Sequence, residues 1–151
     1  FRLRMDEEGL NRALEKTVQE FDDRSDIDVE LDNRLGNCKL TPNAEIHVIQ
    51  VVREALSNVV RHSQAHHAVV SVEYNVDGDV MVAIDDDGIG MPTDTERQHH
   101  YGLAIMKERA HGVSGELCVI PSALGGTRVE LLFNAAGKWQ CMDASQTNIQ
   151  V

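Results

Sequence analysis

The 151-residue sequence has only three cysteines, Cys38, Cys118 and Cys141, odd in number and widely spaced. They offer neither a disulfide framework nor the CxxC spacing of a structural metal site, which fits a reducing compartment. No run approaches the ~18 apolar residues of a membrane-spanning helix. No apolar segment follows the opening Phe1-Arg2-Leu3-Arg4-Met5-Asp6, so no secretory leader is expected. Basic residues are scarce: 14 Lys and Arg stand against 25 Asp and Glu, a net charge of -11. Nucleic-acid binding normally rests on Lys and Arg patches, so a nucleic-acid backbone is not the expected partner. A single nucleotide remains open, because magnesium and helix N-termini offset phosphate charge locally. No P-loop GxxxxGK[ST] occurs. A dinucleotide fingerprint fails too, since Thr93 stands where the third glycine after Gly88 and Gly90 belongs. The acidic clusters lack the twelve-residue spacing and final Glu of a calcium loop. His62, His66, His67, His99 and His100 read as solvated, because no Cys or carboxylate completes a tetrahedral set.

What is present suits one soluble domain with a real core. Residues 6–22 read as a helix, with Leu10, Ala13, Leu14, Thr17, Val18 and Phe21 recurring at three and four. Residues 25–31 alternate as a half-buried strand, with Ile27, Val29 and Leu31 facing one way. Thr41-Pro42 opens a helix over 42–62, Thr41 as N-cap and Pro42 in the first turn. Strands over 68–74 and 80–84 flank an Asp77-Gly78 turn. Polar residues 92–101 read as a mobile lid. A helix from Gly102 to about Ala110 or Gly112 and strands over 116–120 and 127–133 complete the chain. The tail from Asn134 lacks a period. The expected fold is α+β: a two-layer sandwich, a mixed sheet covered on one face by helices.

One stretch dominates. Gln50, Glu54, Asn58 and His62 are spaced four apart and form one polar stripe on the 42–62 helix. Ile46, Ile49, Val52, Leu56, Val59 and Val60 are assigned to its apolar side. A carboxylate, an amide oxygen and an imidazole in a row suit a magnesium ion shared with phosphate. Alternatively the stripe is the solvated side of an amphipathic helix. Glycines follow in order: Asp86-x-Gly88-x-Gly90, Gly102-Leu103 and Gly125-Gly126-Thr127. Glycine lets backbone approach a ligand closely. Gly102 is expected to open a helix, whose free N–H groups then receive phosphate.

These motifs, spread between Leu10 and Phe133, resemble the catalytic ATP-binding domain of two-component sensor histidine kinases, the Bergerat or GHKL fold. Arg53-Glu54-Ala55-Leu56-Ser57-Asn58 with His62 looks like the family's N box, and Asp86-x-Gly88-x-Gly90 like its first glycine box. The run from Tyr101 to Ala110 is similar to the nitrate/nitrite sensors NarX and NarQ. The resemblance implies ATP and Mg²⁺ as ligands, with Asn58 on the metal and Glu54 positioning water or assisting proton movement. It implies phosphate contact for His62 and an adenine amino group on Asp86. Gly88 and Gly90 would close on the base, with Thr127 supporting the adenine beside Asp86. Tyr101, Gly102 and Leu103 would flank the phosphates, and Gly126 belongs to the last glycine box. The implied reaction moves the γ-phosphoryl group to a histidine on a separate dimerisation domain, for onward transfer to a response regulator. The implied parent is a homodimeric bacterial inner-membrane sensor with this piece in the cytoplasm.

Residues 1–5 are then expected to end a preceding dimerisation helix or linker, 6–136 to form the catalytic domain, and 137–151 a polar tail. The absence of an initial Met fits a piece of a longer protein. One departure concerns Asp87, where the family often has Asn; a further carboxylate there repels phosphate unless it faces away. Asp85 leaves an offset of one residue open, although the spacing to Gly88 and Gly90 favours Asp86. An ATP-dependent clamp or an anti-sigma serine kinase of the same fold is the alternative function. The short lid disfavours the clamp. A degenerate docking module is disfavoured by the presence of Glu54, Asn58, Asp86 and the glycines.

Overall fold

The computed structural model describes residues 9–36, 40–75, 77–90 and 96–134, with the backbone alone for 96–101. Helix α1 (Gly9–Arg24) buries Leu10, Ala13, Leu14, Thr17 and Val18, the face predicted from their spacing. Its end hands over to the sheet through side chains. Ser25 Oγ donates to the Phe21 carbonyl, and Asp22 Oδ1 accepts the Val29 N–H at 2.9 Å. That exchange delays strand β1 to Asp28–Arg34, three residues later than the alternation from Ser25 indicated.

Helix α2 (Pro42–Asn58) starts as predicted: Thr41 accepts the Ala44 N–H, and Pro42 occupies the first turn. Its last predicted turn is not α-helical. Val59–Ser63 widens into a π-turn, closed by Gln64 in a left-handed conformation. Such turns are frequent at functional sites. The core face of α2 is Ala44, Val48, Ile49, Val51, Val52, Ala55 and Leu56. Ile46 and Val60, assigned to the core from sequence, are instead exposed, at 36% and 41%.

Strands β2 (His67–Tyr74) and β3 (Asp79–Asp86) form the expected hairpin, turned by Gly78 at φ 87° with Asn75 Oδ1 accepting the Asp77 and Asp79 N–H groups. Strand β3 runs past Ile84 and carries Asp85 and Asp86 within it, because Val69, Ala68 and Arg128 continue the pairing. Helix α3 (Glu96–His111) begins six residues before Gly102. The lid reading is thereby corrected for Glu96–Tyr101, which are helical; 92–95 lie outside the described residues. Strands β4 (Glu116–Pro121) and β5 (Thr127–Asn134) close the sheet. Residues 1–8 and the tail from 135 fall outside the description.

The sheet order is β1-β2-β3-β5-β4, with β1 parallel to β2 and every other pair antiparallel. The three helices cover one face and enclose the core with Val70, Val72, Val80, Val82, Ile84, Leu131 and Phe133. This is the α+β sandwich expected from sequence. The alternation of β4 matters below: Leu117 and Val119 pack against the core, whereas Cys118 is exposed on the open face.

Candidate functional site

The site lies where α2, its π-turn, α3 and the ends of β3, β4 and β5 meet. The stripe on α2 does not face solvent. Asn58 is 8% exposed, and the Glu54 side chain 22%. Both point at Gly102: a Cβ there would lie 2.9 Å from Glu54 Oε2 and 3.0 Å from Asn58 Nδ2. Glycine therefore lets α3 close over the stripe. Gly102 does not open a helix. It lies in the second turn of α3, so the idea that it offers phosphate the free N–H groups of a helix start is overturned. Leu103 follows it into the cleft. Tyr101 is within α3, its side chain outside the described residues.

The cleft joins Asn58, His62 and Ser63 to Asp86, Gly90 and Thr127. Between these polar groups its wall is apolar: Ala55, Val59, Leu103, Met106, Val119 and Val129. Apolar walls with few placed polar groups are what small-ligand sites share. Two of the polar atoms lack partners among the described residues. Asn58 Oδ1 and His62 Nε2 are buried without a hydrogen bond. A buried polar atom left unpaired costs about 1–3 kcal/mol, so such atoms mark places where a ligand completes the set.

Asp86 stands at the other end, 3% exposed. Its Oδ1 accepts the Gly88 N–H at 2.8 Å and the Thr127 N–H at 3.3 Å, and its carbonyl accepts the Gly126 N–H. Burial pushes its pKa up, while the Gly88 and Thr127 N–H groups partly oppose that. A Cβ on Gly126 would collide with Asp86 Oδ1, which explains glycine at that position. Gly90 has φ 87°, a conformation that favours glycine. Gly88 serves a different end: a Cβ would strike the Ser63 carbonyl, so this glycine lets the loop rest on the π-turn.

The run of three aspartates separates cleanly. Asp85 points to the open face of the sheet, where Arg128 binds it at 2.9 Å and Ser122 donates to it at 2.7 Å. Asp86 alone lines the cleft. Asp87 turns to the start of β2, where Oδ1 accepts the His66 and His67 N–H groups. Those bonds hold its pKa below the usual carboxylate range. The repulsion that a third carboxylate would impose on phosphate is thus directed away from the cleft.

Sequence reasoning missed several groups. Arg61 Nη2 lies 3.9 Å from Glu54 Oε2, a cation beside the stripe that its motif position could have flagged. Ser63 falls between the expected helix over 42–62 and the expected strand over 68–74, where no periodic signal marks it. Met106, Val119 and Val129 fall within the expected helix from Gly102 and the expected strands over 116–120 and 127–133, but periodicity names a face and not its partner.

A family model described as histidine kinase-, DNA gyrase B-, and HSP90-like ATPase matches residues 43–137. The chain belongs to that family. It is 39% identical over 133 residues to the nitrate/nitrite sensor protein NarX of Escherichia coli (strain K12), covering 88% of this chain and 22% of NarX. It is 35% identical over 136 residues to NarQ of the same strain, covering 90% of this chain and 24% of NarQ. The chain thus spans about a quarter of these relatives' length. Among solved structures it resembles the ATP binding domain of PrrB from Mycobacterium tuberculosis, with a TM-score of 0.66 and 28% identity, over 82% of this chain and 92% of that one. The blue-light activated histidine kinase EL346 of Erythrobacter litoralis shares the fold, with a TM-score of 0.70 at 17% identity, over 86% of this chain and 43% of that one.

Proposed function

We propose that this domain binds ATP with Mg²⁺ and presents the γ-phosphoryl group to a histidine on a separate domain, in a nitrate/nitrite-responsive sensor kinase. The observation that carries the reading is the pairing of buried, unpartnered Asn58 Oδ1 and His62 Nε2 at one end of a cleft with desolvated Asp86 at the other. In this reading the adenine lies in the apolar cleft and gives its amino group to Asp86. Guanine presents an oxygen there, which would leave the carboxylate unpaired. Asn58 and His62 face the phosphates. A hard amide oxygen near a carboxylate suits Mg²⁺, which keeps several waters and shares phosphate oxygens. Asn58 would hold the ion, with Glu54 orienting one of its waters, and the ion would supply charge stabilisation during transfer. The chain's own part is positioning, which together with charge stabilisation makes up nearly all of the catalysis of phosphoryl transfer.

The similarity to the nitrate/nitrite sensor proteins NarX and NarQ supports the sensory part of this reading. In it the parent is a homodimeric membrane-bound sensor with this domain in the cytoplasm, a histidine-bearing dimerisation domain beside it and a response regulator as the next acceptor. No described helix is itself long and apolar enough to cross a membrane. Calorimetric titration of the purified chain with ATP and GTP, each with and without Mg²⁺, tests the reading. ATP should bind, more tightly with Mg²⁺, and GTP should not. Equal heats for both nucleotides, or none for either, would refute it.

A further inference from the structure

We infer that Asp87 is the positioning residue of base recognition: it ties the loop that directly follows Asp86 at the end of β3 to the segment that continues the Asn58–His62 helix. The inference rests on the proposed reading of Asp86 as the adenine acceptor.

Five hydrogen bonds join segment 63–67 to loop 87–89. Asp87 Oδ1 accepts the His66 N–H at 2.8 Å and the His67 N–H at 2.9 Å. The Asp87 N–H donates to the His67 carbonyl, and the Ile89 N–H donates to the Ser63 carbonyl at 2.8 Å. Asp87 Oδ2 lies 3.2 Å from His67 Nδ1. Both carboxylate oxygens are therefore engaged on the β2 side. Ser63 is itself held in place, its Oγ donating to the Val59 carbonyl and accepting the Ala65 N–H. The chain of bonds thus runs from the phosphate-facing helix end, through Ser63–His67, into the base-facing loop.

A nucleotide joins base and phosphates through a short linkage of bounded reach, so the two ends of its site must stay within that reach. Holding them there before the ligand arrives removes an ordering cost from binding. Three of the five bonds depend on the Asp87 side chain. Oδ1 alone accepts the two backbone N–H groups, and an asparagine oxygen has the same reach. An alanine has none.

The test measures ATP and GTP affinity of the whole chain by competition with a fluorescent ATP analogue, in wild type, Asp87→Ala, Asp87→Asn and Asp86→Asn. Thermal melts confirm that each variant is folded at the assay temperature. Asp87→Ala should weaken ATP binding about tenfold and narrow the ATP-to-GTP preference, whereas Asp87→Asn stays within about twofold of wild type. A general loss of stability would leave the preference unchanged in the folded fraction. Wild-type affinity in Asp87→Ala overturns the inference, as does an equal loss in Asp87→Asn. If Asp86→Asn still binds ATP as wild type does, the underlying reading of the site fails instead.

Discussion

Gly102 lies against Asn58, and the contact runs between the backbone of α3 and the amide of α2, with Glu54 Oε2 beside it. Alanine at 102 would add helix propensity, worth about 1 kcal/mol over glycine. It would also push on the ends of two side chains that the proposed site needs. Gly102→Ala should therefore melt no lower than wild type yet bind ATP about tenfold more weakly. Thermal melts with titration calorimetry check both halves. Unchanged affinity would mean that the stripe is not part of the ligand site.

Asp86 offers the opposite experiment at the base end. Its pKa is raised in the folded state, chiefly by burial. The unfolded chain then releases the proton first, so stability falls as pH rises from about 3.9 through the folded pKa. At neutral pH the ionised form carries the burial penalty. Asp86→Asn removes that charge and keeps an acceptor for Gly88 and Thr127. The nucleotide-free variant should melt at least as high as wild type while losing ATP affinity by about 100-fold or more. A lower melting temperature with retained ATP binding would contradict both parts.

Neighbouring glycines should behave differently. A Cβ at 126 collides with Asp86 Oδ1, whereas a Cβ at 125 meets nothing within 4 Å. Gly125 has φ 112°, so alanine there costs backbone strain of about 1–3 kcal/mol. Gly126→Ala should cost about 1–3 kcal/mol of stability and displace Asp86. Denaturant unfolding and ATP titration of the two variants separate the effects: both lose stability, but only Gly126→Ala loses affinity.

His47 should give the domain an acid-sensitive joint away from the cleft. A Cβ on Gly112 would collide with its ring, and its buried Nδ1 has no partner among the described residues. Burial lowers its pKa, and the charge of Arg109 adds to that. A depressed base binds its proton more readily when unfolded. Its contribution is complete above about pH 6.5 and is lost as pH falls below that value. Between about pH 7 and pH 5 wild type should lose roughly 2–4 °C more in melting temperature than His47→Leu. Parallel pH profiles would show that the imidazole does not titrate at this joint.

The elements that side-chain period and local capping determine were legible in the sequence. Thr41-Pro42 names the start of α2, and the alternation of β2 and β5 names their buried faces. Other features depend on partners distant in the chain. The first turns of α3 carry Glu96, Arg97 and Gln98, adequate helix formers without an apolar period, so polarity resembled a loop. A glycine inside a helix looks like a helix end until the neighbouring helix is seen, which is why Gly102 was misplaced. On α2 apolar residues occur nearly all round, and only packing separates exposed Ile46 from buried Ile49. The spacing rule favoured Asp86 over Asp85, and of the two it is Asp86 that lines the cleft. Nothing in the sequence assigned Asp87 to two N–H groups some twenty residues away.

Strand β4 puts a thiol one residue from the wall of the cleft and on the other side of the sheet. Cys118 is exposed on the open face, while its neighbour Val119 lines the cleft. A maleimide dye on Cys118, with Cys38 and Cys141 replaced by serine, would sit outside the cleft and leave its lining unaltered. Nucleotide occupancy could then be followed optically from the far side of the sheet.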